Sequence, residues 1–101
     1  MLTEDQKKEI KRELVSCLAI EKEIKKIVIF GSFLDSLDPR DLDVAVFQDT
    51  HQPYLPLALK YRKDVRPVSR KITVDIFPIK IGVKNDSFLS EVERGEVVYE
   101  R

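Results

Sequence analysis

Lys26-Ile27-Val28-Ile29-Phe30 is an unbroken β-branched and aromatic run, stopped by Gly31-Ser32. No position between Ile27 and Phe30 is left for water, so the run reads as a strand buried on both faces. A strand of that kind restricts the chain to layered α/β solutions. The flanking segments fit that restriction. Thr3 and Gln6 have the spacing of a capping box, and Ile10, Leu14, Cys17 and Leu18 then form one apolar stripe. Lys7, Lys8, Glu9, Lys11, Arg12 and Glu13 are read as lying mostly off that stripe, so the first helix covers a sheet. Cys17, on the stripe, reads as core and not as a nucleophile.

After Gly31-Ser32 a short helical turn (Phe33 to Leu37) and a loop (Asp38-Pro39-Arg40) lead to a second strand, Asp41 to Phe47. Tyr54 to Arg66 reads as a helix carrying Leu55, Leu59 and Tyr61, ended by Pro67. Lys71 to Phe77 is a third strand, and Pro78 is expected to finish it. Ile79 to Val83 is a further extended piece. Asp86-Ser87 has the form of a cap for a last helix running to Arg94, with Phe88, Leu89 and Val92 as its apolar face and Gly95 as its C-cap. The tail Val97-Val98-Tyr99 packs back onto the body. The expected fold is therefore α/β (α+β), a small mixed β-sheet covered by helices in the order α-β-α-β-α-β-α, with residues 1–101 as a single domain.

Composition narrows the function. Lys plus Arg and Asp plus Glu are both 18, so the formal net charge is zero, and direct nucleic-acid binding through a chain basic throughout is not expected. One Cys and one His exclude an internal disulfide and argue against a zinc centre. Those features fit a reducing, cytoplasmic setting. The longest aliphatic-aromatic run has four residues, Ile27 to Phe30, far short of the roughly 20 that a membrane span needs, so no membrane association is expected.

Three carboxylates interrupt the apolar strands. Asp41 and Asp43 are two apart and share a face; Asp75 stands between Val74 and Ile76. Ionised carboxylates in such places are costly unless paired or metal-bound. Converging acids repel one another, and a hard divalent cation relieves the repulsion while keeping open positions for phosphate oxygens. Gly31-Ser32 supplies the other half: a glycine for close backbone approach, free amides at a helix start, and a hydroxyl donor.

Gly31-Ser32, eight residues, Asp41-Leu42-Asp43 and later Val74-Asp75-Ile76 together resemble the nucleotidyltransferase superfamily that includes DNA polymerase beta. The chain's size and its ending, Phe88 to Glu100, resemble the smallest branch, the minimal nucleotidyltransferases that partner HEPN-type ribonuclease toxins. The resemblance implies that Asp41, Asp43 and Asp75 bind Mg²⁺, as two ions, and are the catalytic residues. It implies that Gly31 and Ser32 hold the phosphate tail of a nucleoside triphosphate, and that ATP donates AMP to a hydroxyl, commonly a tyrosine's, of a HEPN-domain toxin. A catalytically inactive antitoxin that neutralises by binding is the alternative. A catalytic subunit for a small-molecule acceptor is a third reading. The chain departs from the common pattern in four ways: the interval from Gly31-Ser32 to Asp41 is slightly short, many relatives have a Gly before the loop, absent here, many have Arg directly after the Ser, here Phe33, and many have Ser before the first acid, here Arg40.

Other signals have simpler explanations. Asp35 and Asp38 are read as turn and capping residues, and His51 as exposed. The window from Lys60 to Lys71 holds six cations against Asp64 alone and reads as a solvated helix face, with a rim that attracts polyanions as the other possibility. Tyr61 and Tyr99 are the tyrosines considered for self-modification, with packing the better assignment for Tyr99.

Overall fold

The computed structural model describes residues 1–83 and 87–101. Helix α1 (Glu4–Leu18) opens with the expected capping box: the Gln6 amide donates to Thr3 Oγ1 at 3.1 Å, and the Thr3 amide donates to Gln6 Oε1 at 2.8 Å. Ile10, Leu14 and Leu18 are buried, and Cys17 is half-buried against the core. Lys7 is buried with them, which corrects its assignment to the polar side. Its stem lies on the apolar face, three residues before Ile10. Its ammonium donates to the Ser36 carbonyl at 2.7 Å and stands 5.4 Å from the Phe33 ring centroid. Lys7→Met keeps the stem and loses the charged hydrogen bond. It is expected to cost about 1.5 kcal/mol or more in a urea titration at pH 7.

Strands β1 (Ile24–Phe30), β2 (Asp41–Gln48), β3 (Thr73–Lys80) and β4 (Glu96–Glu100) form one sheet in the order β3-β2-β1-β4. β1 is antiparallel to β2 and β4, while β2 and β3 are parallel, so the sheet is mixed as expected. The parallel pair needs a crossover. Helix α3 (Tyr54–Asp64) and the short α4 (Arg66–Ser69) provide it, with Pro67 in the first turn of α4.

Alternation along the strands divides the core. One face carries Ile27, Ile29, Leu42, Val44, Val46, Val74 and Ile76, which pack with Leu14, Leu57, Tyr61 and Val68 from the helices. Phe33, from the short α2 (Ser32–Asp35), is fully buried in the same cluster. The opposite face carries Val28, Phe30, Ala45 and Ile79, with Phe77 beside them, and is covered in part by α5 (Ser87–Glu93) through Val92, Phe88 and Leu89.

Several expectations change. β3 runs through Pro78 to Lys80, so the proline does not end it; β3 is an edge strand, where a missing N–H is tolerated. Of the extended piece proposed for Ile79 to Val83, Ile79 and Lys80 are the end of β3 and Ile81-Gly82 is a turn. The tail is a fourth strand. Register shifts between Ile27 and Val28, leaving Val98 as the extra residue of a bulge. α3 buries Leu57, Ala58 and Tyr61, while Leu55 and Leu59 point outward.

Gly95 is not a left-handed cap. A Cβ there would clash with the Ile29 carbonyl oxygen, so the glycine lets the chain leave α5 tight against β1. The proposed cap at Asp86 lies outside the described residues. Among the described residues no helix is long and apolar enough to cross a membrane.

Candidate active site

The parallel register places Asp43 directly opposite Asp75 and Asp41 opposite Thr73. The antiparallel register places Phe30 opposite Asp43. All three acids therefore stand on the sheet face that α5 covers only in part. Asp41 is exposed, whereas Asp43 and Asp75 are half-buried.

Gly31 follows Phe30 with φ +81°, a conformation that side chains other than glycine's rarely adopt. It faces Asp43: a Cβ at Gly31 would lie 2.7 Å from Asp43 Oδ2. The strand end, the left-handed glycine and the first turn of α2 thus bring backbone against the central carboxylate. Ser32, the next residue, is exposed and opens α2, whose first amides have no partner within the helix. Lys7 holds the far end of this turn through Ser36.

The electrostatics follow from this crowding. Burial raises the proton affinity of Asp43 above the usual carboxylate range, and the negative charges of Asp75 and Asp41 raise it further. No three His, Cys, Asp or Glu side chains among the described residues form a metal-binding cluster; two acids face each other and the third stands along the strand. The donor set is nevertheless of the right chemistry for a hard cation. It consists of carboxylate oxygens on one face, with the proton affinity of Asp43 raised by burial and by its negative neighbours. Asp41, Asp43 and Asp75 are the residues that could hold Mg²⁺, and Gly31 and Ser32 adjoin them.

The remaining sequence candidates stand apart from these acids. Asp35 is the exposed end of α2, and Asp38 lies in the following loop. His51 is exposed, with Lys80 Nζ 2.6 Å from its Nδ1. Tyr61 is fully buried and its hydroxyl donates to Glu23 Oε2 at 2.9 Å, which removes it as a nucleotide acceptor. Tyr99 is half-buried and its hydroxyl accepts from Arg101 Nε, consistent with packing. In the basic window Lys60 pairs with Glu23 and Glu21, and Lys71 with Glu13. Arg62, Lys63, Arg66 and Arg70 are exposed.

Sequence reasoning missed a second polar cluster, at the α1–β1 turn against α3. It contains Glu21, Glu23, Lys60, Tyr61 and Asp64. Burial drives Asp64 up to about 6, with the hydrogen bond and negative charge of Glu21 adding to it and Lys60 opposing it. Burial also raises the nearby Cys17 thiol, helped by Glu13 and Asp64, so Cys17 is a poor nucleophile. Because folding raises the proton affinity of Asp64, its favourable contribution is complete below about pH 4. It is lost as pH rises through about 6. Asp64→Asn is expected to raise the melting temperature by a few degrees at pH 7.5 and to bring little gain at pH 4, read by thermal denaturation across that range.

No protein-family model matches the chain, and no curated protein matches it.

Proposed function

We propose that this chain is a Mg²⁺-dependent nucleotidyltransferase of the minimal, DNA polymerase beta-like kind. In this reading it is the antitoxin of a HEPN/MNT pair, moving AMP from ATP to a hydroxyl, a tyrosine's, on the HEPN ribonuclease toxin. The observation that carries the reading is the direct opposition of Asp43 and Asp75 across parallel strands, with Gly31 backbone against Asp43.

Each residue then has a role. Gly31 lets the backbone come close to Asp43, and the Ser32 hydroxyl and the amides of Ser32 and Phe33 at the start of α2 donate to the phosphate oxygens. Bound at Asp41, Asp43 and Asp75, Mg²⁺ would supply charge neutralisation at the attacking and leaving oxygens. Asp75 takes the proton of the acceptor hydroxyl. The acceptor oxygen forms a bond to the α-phosphorus, the bond from that phosphorus to the bridging oxygen breaks, and pyrophosphate leaves. Positioning supplies much of the acceleration.

The inactive-antitoxin reading is favoured by one observation. Phe33 occupies the position where many such enzymes carry Arg, and it is fully buried in the core, so it offers the phosphates no cation. One experiment separates the two. Incubation with ATP, Mg²⁺ and the protein encoded beside it, followed by intact mass, is expected to show a nucleotide-sized increase on the partner. Neutralisation of the partner without any mass change selects the binding-only reading, and pyrophosphate release without the partner indicates a small-molecule acceptor.

A further inference from the structure

The parallel strands β2 and β3 end side by side, with Gln48 the register partner of Lys80. That end of the sheet lies five residues beyond Asp43, about 16 Å along β2 at the usual rise, so it is separate from the carboxylates. α3 starts there after a short connection, and the carboxyl ends of parallel strands, where helix N-termini gather, are where open α/β sheets hold ligands. A cavity of about 220 Å³ occupies the place, with Gln48, Thr50, His51 and Lys80 on its polar side and Tyr54, Leu57 and Pro78 on the other. The free polar groups are donors. Gln48 is only 3% exposed, and its Oε1 accepts from both the amide and the hydroxyl of Thr50 at 2.7 Å. Those bonds fix the orientation of the side-chain amide and leave Nε2, a double donor, with no protein partner among the described residues. Lys80 Nζ donates to His51 Nδ1 at 2.6 Å, so the neutral ring carries its proton on Nε2 and the ammonium keeps further protons to give. Among the described residues no carboxylate lines the cavity, and Asp49, beside Gln48, pairs with Lys25 instead. α3 adds its own positive end: Pro53 makes no side-chain cap, and the first turn holds no acid.

We infer that this cavity is a second binding site, for the phosphate group of a small phosphomonoester, held by Gln48 Nε2, His51 Nε2 and Lys80 Nζ at the start of α3. A buried amide donor without a partner is costly, and an anion in the cavity supplies the missing acceptor. A carboxylate is planar and best matched by the fork of an arginine; an ammonium and separate single donors around one point suit a tetrahedral anion. The cavity is smaller than the roughly 300–1,000 Å³ of a site for a drug-sized ligand. It therefore takes the phosphate and a compact body, which lies against Leu57, Pro78 and the Tyr54 ring. The site holds a ligand of its own whether or not the acids at the other end of the strands handle a nucleotide.

Calorimetric titration of the full chain without divalent cation tests this, with phenyl phosphate, inorganic phosphate and benzoate as probes. Phenyl phosphate is expected to bind at one site, inorganic phosphate more weakly, and benzoate not measurably. Equal affinity for the two phosphates would overturn the ester in favour of free phosphate, and benzoate binding as tightly as phenyl phosphate would overturn the phosphate assignment. Lys80→Met and His51→Ala, at exposed positions, are expected to keep the wild-type circular dichroism spectrum and to weaken phenyl phosphate by about tenfold each. Gln48→Glu keeps an acceptor for Thr50 and puts an oxygen in place of Nε2, so it is expected to abolish binding. If the wild type binds neither phosphate, or if Lys80→Met and His51→Ala bind phenyl phosphate as the wild type does, the site is overturned.

Discussion

Asp43→Asn should abolish nucleotidyl transfer and, at the same time, make the ligand-free protein more stable at neutral pH. The two effects have one cause. Asp43 is half-buried, opposed by Asp75 and flanked by Asp41, so its ionised form is disfavoured in the folded chain. Its proton affinity is raised on folding, so its contribution to stability is fully present below the ordinary carboxylate value. That contribution is lost as pH rises through the raised one. At neutral pH the native state carries the cost, and an amide of the same shape removes it. The melting temperature of Asp43→Asn is expected to exceed that of the wild type by a few degrees at pH 7 without divalent cation. Added Mg²⁺ should stabilise the wild type and leave the variant unmoved. Transfer should fall by about a thousandfold or more, as expected when a group that stabilises developing charge is removed. A variant that melts earlier than wild type at pH 7, or that keeps its activity, would contradict this account.

Gly31→Ala is the second large effect. The left-handed φ of +81° costs a residue with a Cβ about 1–2 kcal/mol, and the added methyl would sit 2.7 Å from Asp43 Oδ2. The side chain of Asp43 can turn away, but only by leaving the face of Asp75. The backbone can shift, but Phe30 before it and Phe33 after it are both held in core clusters. Chemical denaturation is expected to show a loss of about 2–3 kcal/mol, combining the strain with the forced displacement. Activity should fall further than stability alone explains, with kcat affected more than KM, because the added methyl displaces the Asp43 carboxylate. Equal stability in the variant would show that this turn relaxes without cost.

Much of this was legible because the acids break the apolar pattern. Asp41, Asp43 and Asp75 stand where a buried strand has no reason to hold carboxylates, and the register confirms a shared face for them. The α/β class was equally legible from the run ending at Phe30. The misreadings have physical reasons. The charge of Lys7 argues for the polar side, but its four-carbon stem falls on the stripe of Ile10 and Leu14, and the spacing carries that signal. β4 has only three apolar residues between glutamates, and its extended form depends on pairing with β1, which no local pattern reports. Pro78 ends central strands, but whether β3 lies at an edge is a property of the sheet. On α3, Leu55 and Leu59 looked like the inner face because leucine outranks alanine in apolarity, yet Leu57, Ala58 and Tyr61 have the angular spacing that faces the sheet.

The mixed sheet has a kinetic consequence. β1 and β2 join as a nearby hairpin, whereas Asp43 and Asp75 lie about thirty residues apart and meet only when the crossover closes. The carboxylate pair is therefore assembled after the hairpin, against its own repulsion. Competence for chemistry should appear after secondary structure during refolding, and a cation that screens the two acids should hasten that final docking.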